Sequence, residues 1–328
     1  MAIPVFLSGV FKPIQTEMRR LFSVIFASAV VLGASAQSTK SPNRFKTGGM
    51  ITLMGGQSGT RNWAPAGEEK FSLTAYGNLQ LWANKEWAAG RNRWTNNLEL
   101  AYALINTTSN GVRKIDDKFD LYSKYSHDLK NTQWALGMVA NLRTQLVNGY
   151  DYSENVRKRI SGFFAPAYIS FSPGIQFASK NKALNLHVGP GVRWVTVTNG
   201  PYSLVYQGGE KPDGTTERPL ASLYGVKPER EVRFEVGPYF SGSFNKEIFK
   251  NVTWRTRADV ISDIIEGEPF LFDIYWTNTI GMKVNNWLSV NYNFDLYYDD
   301  DVKMFGANKD NPATQMKSIL GVGVAAKF

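Results

Sequence analysis

The stretch SVNYNFDLYYD, Ser289 to Asp299, decides the fold. Val290, Tyr292, Phe294, Leu296 and Tyr298 alternate with Ser289, Asn291, Asn293, Asp295 and Asp299, and Tyr297 is the one exception. A period of two puts these sets on opposite faces of an extended strand. The same period continues upstream. Phe272, Ile274, Trp276, Ile280, Met282 and Val284 oppose Asp273, Tyr275, Thr277, Thr279, Gly281 and Lys283, broken only by Asn278. Trp254, Val260 and Ile264 oppose Arg255, Arg257, Asp259 and Asp263, and Phe234, Val236, Phe240 and Phe244 oppose Arg233, Glu235, Ser241, Ser243 and Asn245.

A soluble β-sandwich also alternates, but three features separate this chain from one. The segments run to about 12–18 residues, against roughly 3–10 for most strands of soluble proteins. Ionised groups stand in mid-segment, where a dry core would not tolerate them unpaired. An apolar outside and a polar inside suit a closed barrel in lipid, whose strands leave no free edge. The reading is all-β: a transmembrane antiparallel up-and-down barrel, with strands at 46–55, 69–87, 92–106, 117–129, 132–147, 161–177, 183–198, 229–246, 251–265, 269–284, 286–299 and 314–328. The first is the weakest, diluted by Gly48, Gly49, Gly55 and Gly56.

Connections alternate in length. Short turns fall at 88–91, 130–131, 179–182, 247–250 and 285–286, and longer loops near 56–68, 107–116, 148–160, 199–228 and 300–313, with a compact one at 266–268. Bacterial barrels keep short turns in the periplasm, so both termini are expected there. Trp87, Trp94, Trp134, Trp254 and Trp287, five of nine tryptophans, lie near the short turns and read as an interfacial girdle. The chain ends on an alternating strand with Val322, Val324, Ala326 and Phe328 on one face, and the terminal Phe328 reads as the signal taken up by the barrel assembly machinery.

Before the barrel, Arg19-Arg20, the apolar run Leu21 to Leu32 and Ala34-Ser35-Ala36 form a secretory signal peptide over residues 1–36, with Met18 as the expected true start. The apolar run falls short of the roughly 20 residues that a helical span needs. Cleavage after Ala36 removes three basic residues and one acidic one, taking the net charge from +9 to +7. Residues 37–328 are then one domain, exported through the Sec pathway to the outer membrane of a Gram-negative cell.

Composition excludes much chemistry. With no cysteine there are no disulfides, thiolate nucleophiles, zinc–thiolate sites or lipoprotein acylation. Mean hydropathy of −0.28 with 13% aromatics describes rings and turns, not aliphatic helix. The basic residues are scattered, and the longest run, Arg157-Lys158-Arg159, reads as a solvated loop, so nucleic acid is not an expected partner. No spacing suits a transition metal or a phosphate loop, and the chain is read as a non-enzyme without cofactor. Asp299-Asp300-Asp301 is weighed as a divalent-cation site at the outer rim, with a solvated acidic loop preferred.

The whole mature chain resembles an uncharacterised family of outer-membrane barrels known mainly from Bacteroidetes. The resemblance rests on Asn62-Trp63 with Gly67, Trp94-Thr95-Asn96-Asn97, Asp117 to Tyr125, Thr144-Gln145 with Gly149-Tyr150, Phe163-Phe164-Ala165-Pro166-Ala167-Tyr168, and the Gly-x-Gly approach to Phe328. Ala66 departs from the family's paired glycines after Asn-Trp. The resemblance implies fold and location but no activity.

The expected lumen carries Lys118, Lys124, Arg143, Arg193, Arg233, Arg255, Arg257, Lys283, Lys317 and Lys327 against Glu99, Asp120, Glu235, Asp259, Asp263, Asp273 and Asp295. That small basic excess suggests a small-solute pore with weak anion preference. The second reading is a structural or accessory barrel that docks a lipoprotein or a larger outer-membrane complex through loop 199–228. Its other partners would be outer-membrane lipids and lipopolysaccharide. A third is a lipid hydrolase. An outer-membrane phospholipase of the same strand number uses a Ser-His-Asn constellation, and His187 has Ser170, Ser172 and Asn185 nearby, although a lumen histidine in a hydrogen-bond network is the preferred reading.

Overall fold

The computed structural model describes residues 44–62, 73–107, 111–130, 132–151, 158–197, 209–210, 216–217, 220–227, 230, 232–265, 271–306 and 311–328. The signal peptide, Trp63, Gly67 and most of loop 199–228 lie outside them. Twelve antiparallel strands close into one barrel. They are β1 (Lys46–Arg61), β2 (Leu73–Trp87), β3 (Asn92–Thr107), β4 (Gly111–Asp128), β5 (Trp134–Thr144), β6 (Ala167–Ala178), β7 (Leu184–Thr196), β8 (Val232–Phe249), β9 (Val252–Ile261), β10 (Asp273–Lys283), β11 (Leu288–Tyr298) and β12 (Gln315–Lys327). Each pairs with its chain neighbours, and β12 returns to β1. Short two-stranded ribbons, 149–151 with 158–161 and 209–210 with 216–217, decorate two long loops.

All twelve expected strands are present, with shifted ends. The largest differences are at β1 and β4, which run on to Arg61 and back to Gly111, into stretches that read as loops from sequence, and at β6, which starts at Ala167 and not at residue 161. Glycines dilute the hydrophobic pattern of β1 without removing its ladder, which pairs to Arg61 on the β12 side. In β4 the register shifts opposite Ala103 and Leu104, inserting an extra residue and hiding the upper half of the strand from a strict period of two.

Closure is completed at the C-terminus. The Gly49 N–H donates to the Phe328 carbonyl at 2.9 Å, and the Phe328 N–H donates to the Gly49 carbonyl at 3.0 Å. Position 49 must be small, since a Cβ there would meet the Phe328 ring. The turns at the same end use left-handed backbone. Ala88, Ala89 and Gly90 all have positive φ, and Asn251 with φ 66° closes the tight β8–β9 turn.

The outward face is apolar. Leu53, Leu121, Leu136, Met138, Phe171, Ile175, Val188, Phe234, Phe240, Leu320, Val322 and Val324 are exposed large hydrophobics. The polar exceptions on that face are tied to indoles. The Trp254 Nε1–H donates to Asn278 Oδ1 at 3.4 Å, and the Trp276 Nε1–H to Thr256 Oγ1 at 2.8 Å. The Trp94 Nε1–H donates to Ser123 Oγ at 2.9 Å, and that hydroxyl donates on to Asn96 Oδ1 at 2.8 Å. Trp94, Trp134 and Trp287 are exposed beside the short turns. Among the described residues no helix is long and apolar enough to cross a membrane.

On β11, Phe294 faces outward, with its ring 5.9 Å from that of Trp276, and Asn293 faces inward. Phe294→Arg would put a guanidinium into acyl chains at a cost of roughly 2–4 kcal/mol near the midplane. Refolding into lipid vesicles, read by heat-modifiable gel migration, should fail for Phe294→Arg and succeed for Asn293→Arg. Equal tolerance of the two would overturn the outward assignment.

Candidate functional site: the barrel interior

Period two aims alternate residues of every strand inward, and the ladder registers decide which of them meet. At the centre lies a closed ring of four charges. Arg143 on β5 contacts Asp120 on β4 at 3.4 Å and Asp259 on β9 at 3.3 Å. Arg257 on β9 contacts the same two carboxylates, at 2.5 and 3.1 Å. Four strands lie between β4 and β9 in the twelve-membered ring, so the Arg257–Asp120 bond spans nearly the full width of the lumen. Neutral donors fill the remaining lone pairs: Asn141 Nδ2–H to Asp120 at 2.7 Å, Tyr239 O–H to Asp259 at 3.0 Å and Ser241 Oγ–H to Asp259 at 2.7 Å. The Arg143 guanidinium lies over the Tyr275 ring, 3.2 Å from its centroid.

A second cluster sits towards the long-loop end. Arg193 on β7 holds Glu235 on β8, Asp273 on β10 and, at 3.8 Å, Asp299. Arg233 on β8 holds Glu235 at 2.6 Å and also Asp301. A third lies against β4, β11 and β12. Lys317 meets Asp116 at 2.7 Å and Asp295 at 2.9 Å, and Lys118 meets Glu99 at 3.3 Å and Asp295 at 3.9 Å. Lys317 is only 2% exposed and Glu235 1%, so these pairs are interior ones.

Two expected lumen cations are elsewhere. Lys283 and Lys327 are exposed at the short-turn end, and Lys327 lies over the Trp82 ring, 5.5 Å from its centroid. Three carboxylates that sequence places in loops join the interior. Asp116 falls one residue before the strand start that alternation suggests, at residue 117. Asp299 and Asp301 are buried or ion-paired with Arg193 and Arg233, neither a solvated loop nor a free cation site. The named interior groups then number eight cations against ten carboxylates, which reverses the small basic excess.

At the long-loop end, apolar packing gathers beside β6, β7 and β11. A 3₁₀ turn, Leu220–Tyr224, belonging to loop 199–228, brings Ala221, Tyr224 and Val226 into a buried cluster with Ala165, Val195, Val197 and Val302. The Tyr224 hydroxyl donates to the Ile160 carbonyl at 2.6 Å, and burial pushes its phenol well above the usual range. A pocket of about 20 Å³ lies between this cluster and the Arg–Asp ring, walled by Arg143, Tyr168, Arg193, Tyr239, Tyr275 and Tyr297. On the other side of the ring the interior opens into a cavity of about 240 Å³.

The hydrolase constellation is partly assembled. Ser172 Oγ and His187 Nε2 are 2.9 Å apart, but His187 Nδ1 has no hydrogen-bond partner. Asn185 is engaged elsewhere, donating to the Lys182 carbonyl at 3.1 Å, and Ser170 lines the packed layer beside Arg193. Among the described residues no group hydrogen-bonds Nδ1, and His187 faces the interior at 2% exposure, away from lipid.

A closed ring of strands, apolar outside and charged within, defines an outer-membrane β-barrel. Residues 56–150 match the family described as "Protein of unknown function (DUF3078)". No curated protein matches the chain by sequence. Among solved structures, an outer-membrane channel from Pseudomonas putida F1 is similar at 8% identity and TM-score 0.41, over 89% of this chain and 98% of that one. The NanC porin is similar at 11% identity and TM-score 0.36, over 84% and 98%. Outer membrane phospholipase A from Escherichia coli is similar at 9% identity and TM-score 0.36, over 88% and 95%. Likeness at this level says nothing of activity.

Removing one partner from a buried ion-pair network leaves an uncompensated charge, at a cost of roughly 3–5 kcal/mol. Asp120→Ala strips a carboxylate from both Arg143 and Arg257, and should lower the urea midpoint of the refolded barrel accordingly. Lys283→Ala, at the exposed edge, should change it by no more than about 0.5 kcal/mol. Equal effects would show that the ring contributes nothing beyond a surface charge.

Proposed function

We propose that the protein is a structural or accessory barrel of the outer membrane, closed to solute flow in its resting state. The observation that carries this reading is the Arg143–Asp120–Arg257–Asp259 ring, whose contacts cross the lumen at 2.5–3.4 Å. The apolar cluster of Ala221, Tyr224 and Val226 supports it from the long-loop side. A barrel stoppered twice, by ion pairs and by packed side chains, is a rigid wall on which a lipoprotein or a larger complex can dock. In this reading the chain is exported by the Sec pathway, and Phe328 is its assembly signal. Short turns face the periplasm.

The pore reading loses its charge argument. A lumen with ten named carboxylates against eight cations has no basic excess to favour anions, and most of those cations are held in pairs. Single-channel recording in planar bilayers separates the two. Well-folded wild-type barrel should be silent. Regular conductance steps from barrel of verified fold would reject the closed reading and restore the pore.

A further inference from the structure

The cavity of about 240 Å³ contains one cation that makes no ion pair among the described residues, although Glu99 also lines the cavity. Three of its four basic lining residues have carboxylates within ion-pair distance: Lys118 has Glu99 and Asp295, Lys317 has Asp116 and Asp295, and Arg257 has Asp120 and Asp259. Arg255 is the fourth. Among the described residues its side chain makes one hydrogen bond, from Nη1–H to the neutral Gln80 Oε1 at 2.8 Å, and no ion pair. Gln80 stands across the lumen on β2, so the bond holds the guanidinium out over the cavity instead of letting it fold back on the wall. A buried charge without a partner is costly, and a planar fork of five N–H donors with one in use is a ready receptor for an oxyanion.

A second group points the same way. On the ladder Arg255 sits opposite Asn245 and Thr279. Thr279 Oγ1–H donates to Asn293 Oδ1 at 3.0 Å, which fixes the Asn293 amide with its Nδ2–H₂ facing away from that bond. That Nδ2 is buried and has no hydrogen-bond partner, and Asn293 lines the same cavity. An amide N–H₂ has two donors to offer a ligand at the same place. Asn245, the exposed lining residue, lies four positions before the end of β8 at Phe249, so the cavity reaches towards the short-turn end. Towards the other end it is lined by Tyr76 and Ile319, which belong to a buried apolar cluster with Met54, Ala103 and Ile115.

We infer that this blind cavity is a binding site for one small oxyanion, a carboxylate or a phosphate, held by Arg255 with Asn293 as second donor and entered from the short-turn side. The site goes beyond the closed-scaffold reading and does not depend on it, since a blind site binds without conducting. The acidic groups nearby are already paired with Lys118 and Lys317, so an anion at Arg255 meets compensated charge there. The volume admits small solutes only, being below the roughly 300–1,000 Å³ of drug-sized pockets.

The full barrel, refolded in detergent, is titrated with acetate in one arm and inorganic phosphate in the other, each against chloride at equal ionic strength. At a concentration of about 100 times Kd, a ligand of the folded state alone raises stability by about 2.7 kcal/mol, read as a higher unfolding midpoint. One of the two anions, or both, should raise the midpoint saturably above the chloride control, and which arm responds identifies carboxylate or phosphate as the ligand class. Arg255→Gln should fold and lose the response. Asn293→Asp, which sets a carboxylate in place of the free amide donor, should lose it too, whereas Lys283→Gln should keep it. No response above chloride in wild type, or an undiminished response in Arg255→Gln, would overturn the site. If Arg255→Gln fails to fold, Asn293→Asp decides in its place, and an undiminished response there overturns the site equally.

Discussion

Inside hydrocarbon an unpaired backbone N–H or C=O costs several kcal/mol, and no water is present to meet it. A sheet with two edges cannot satisfy that condition, so β1 and β12 must find each other. The remaining features of this chain answer to that closure. Gly49 is bare of Cβ where the Phe328 ring lies, and the last residue bonds back to Gly49 in both directions. Once twelve strands are committed to a ring, its circumference is set, and so is the space within.

Barrels of about eight strands fill their interiors with ordinary side chains, and those of 16–18 leave a water channel. Twelve leave a lumen too wide for residues of neighbouring strands to fill and narrow enough for long side chains to reach across. Arginine and lysine supply that reach. The guanidinium of Arg257 meets Asp120 across four intervening strands, and Arg255 meets Gln80 across as many. Aspartates and tyrosines complete the filling, the rings of Tyr275 and Tyr122 taking the guanidinium faces of Arg143 and Arg257.

The architecture was legible because lipid outside and polar groups inside impose a strict period of two on every segment, and Ser289 to Asp299 shows it almost without error. The alternation of short and long connections was legible too, except between β3 and β4, where the expected long loop shrinks to residues 108–110. Pairing across the lumen was not, because it depends on how far each strand is sheared against the next, and one sequence holds no trace of that offset. The same blindness explains the misplaced groups. Asp116 lies one residue outside the strand start that alternation suggests, and Asp299 and Asp301 lie at or past another strand's end, so all three carboxylates read as loop. Lys283 and Lys327 have inward phase but sit beyond the last rung of the interior, and phase says nothing of height. His187 and Ser172 are close enough in phase and register to meet, yet the missing acceptor at Nδ1 is a three-dimensional fact that no spacing announces.

A charged interior is weak evidence for transport in such a protein, and the reason lies in how the chain reaches its membrane. An exported barrel crosses an aqueous compartment before it inserts, and strands apolar on both faces would aggregate or lodge in the first bilayer as helices. Alternation keeps mean hydropathy at −0.28 despite an apolar outer belt, and it does so by making the inner face polar whatever that face later does. Buried ion pairs are then the inexpensive way to close a lumen whose residues must be polar, since replacing them by well-packed hydrophobes would be close to neutral in stability. What carries functional information is the exception to pairing. In an interior where Lys118, Lys317, Arg143, Arg193, Arg233 and Arg257 each have a carboxylate in ion-pair contact, Lys124 and Arg255 have only amides as hydrogen-bond partners, and of these two it is Arg255 that lines the cavity.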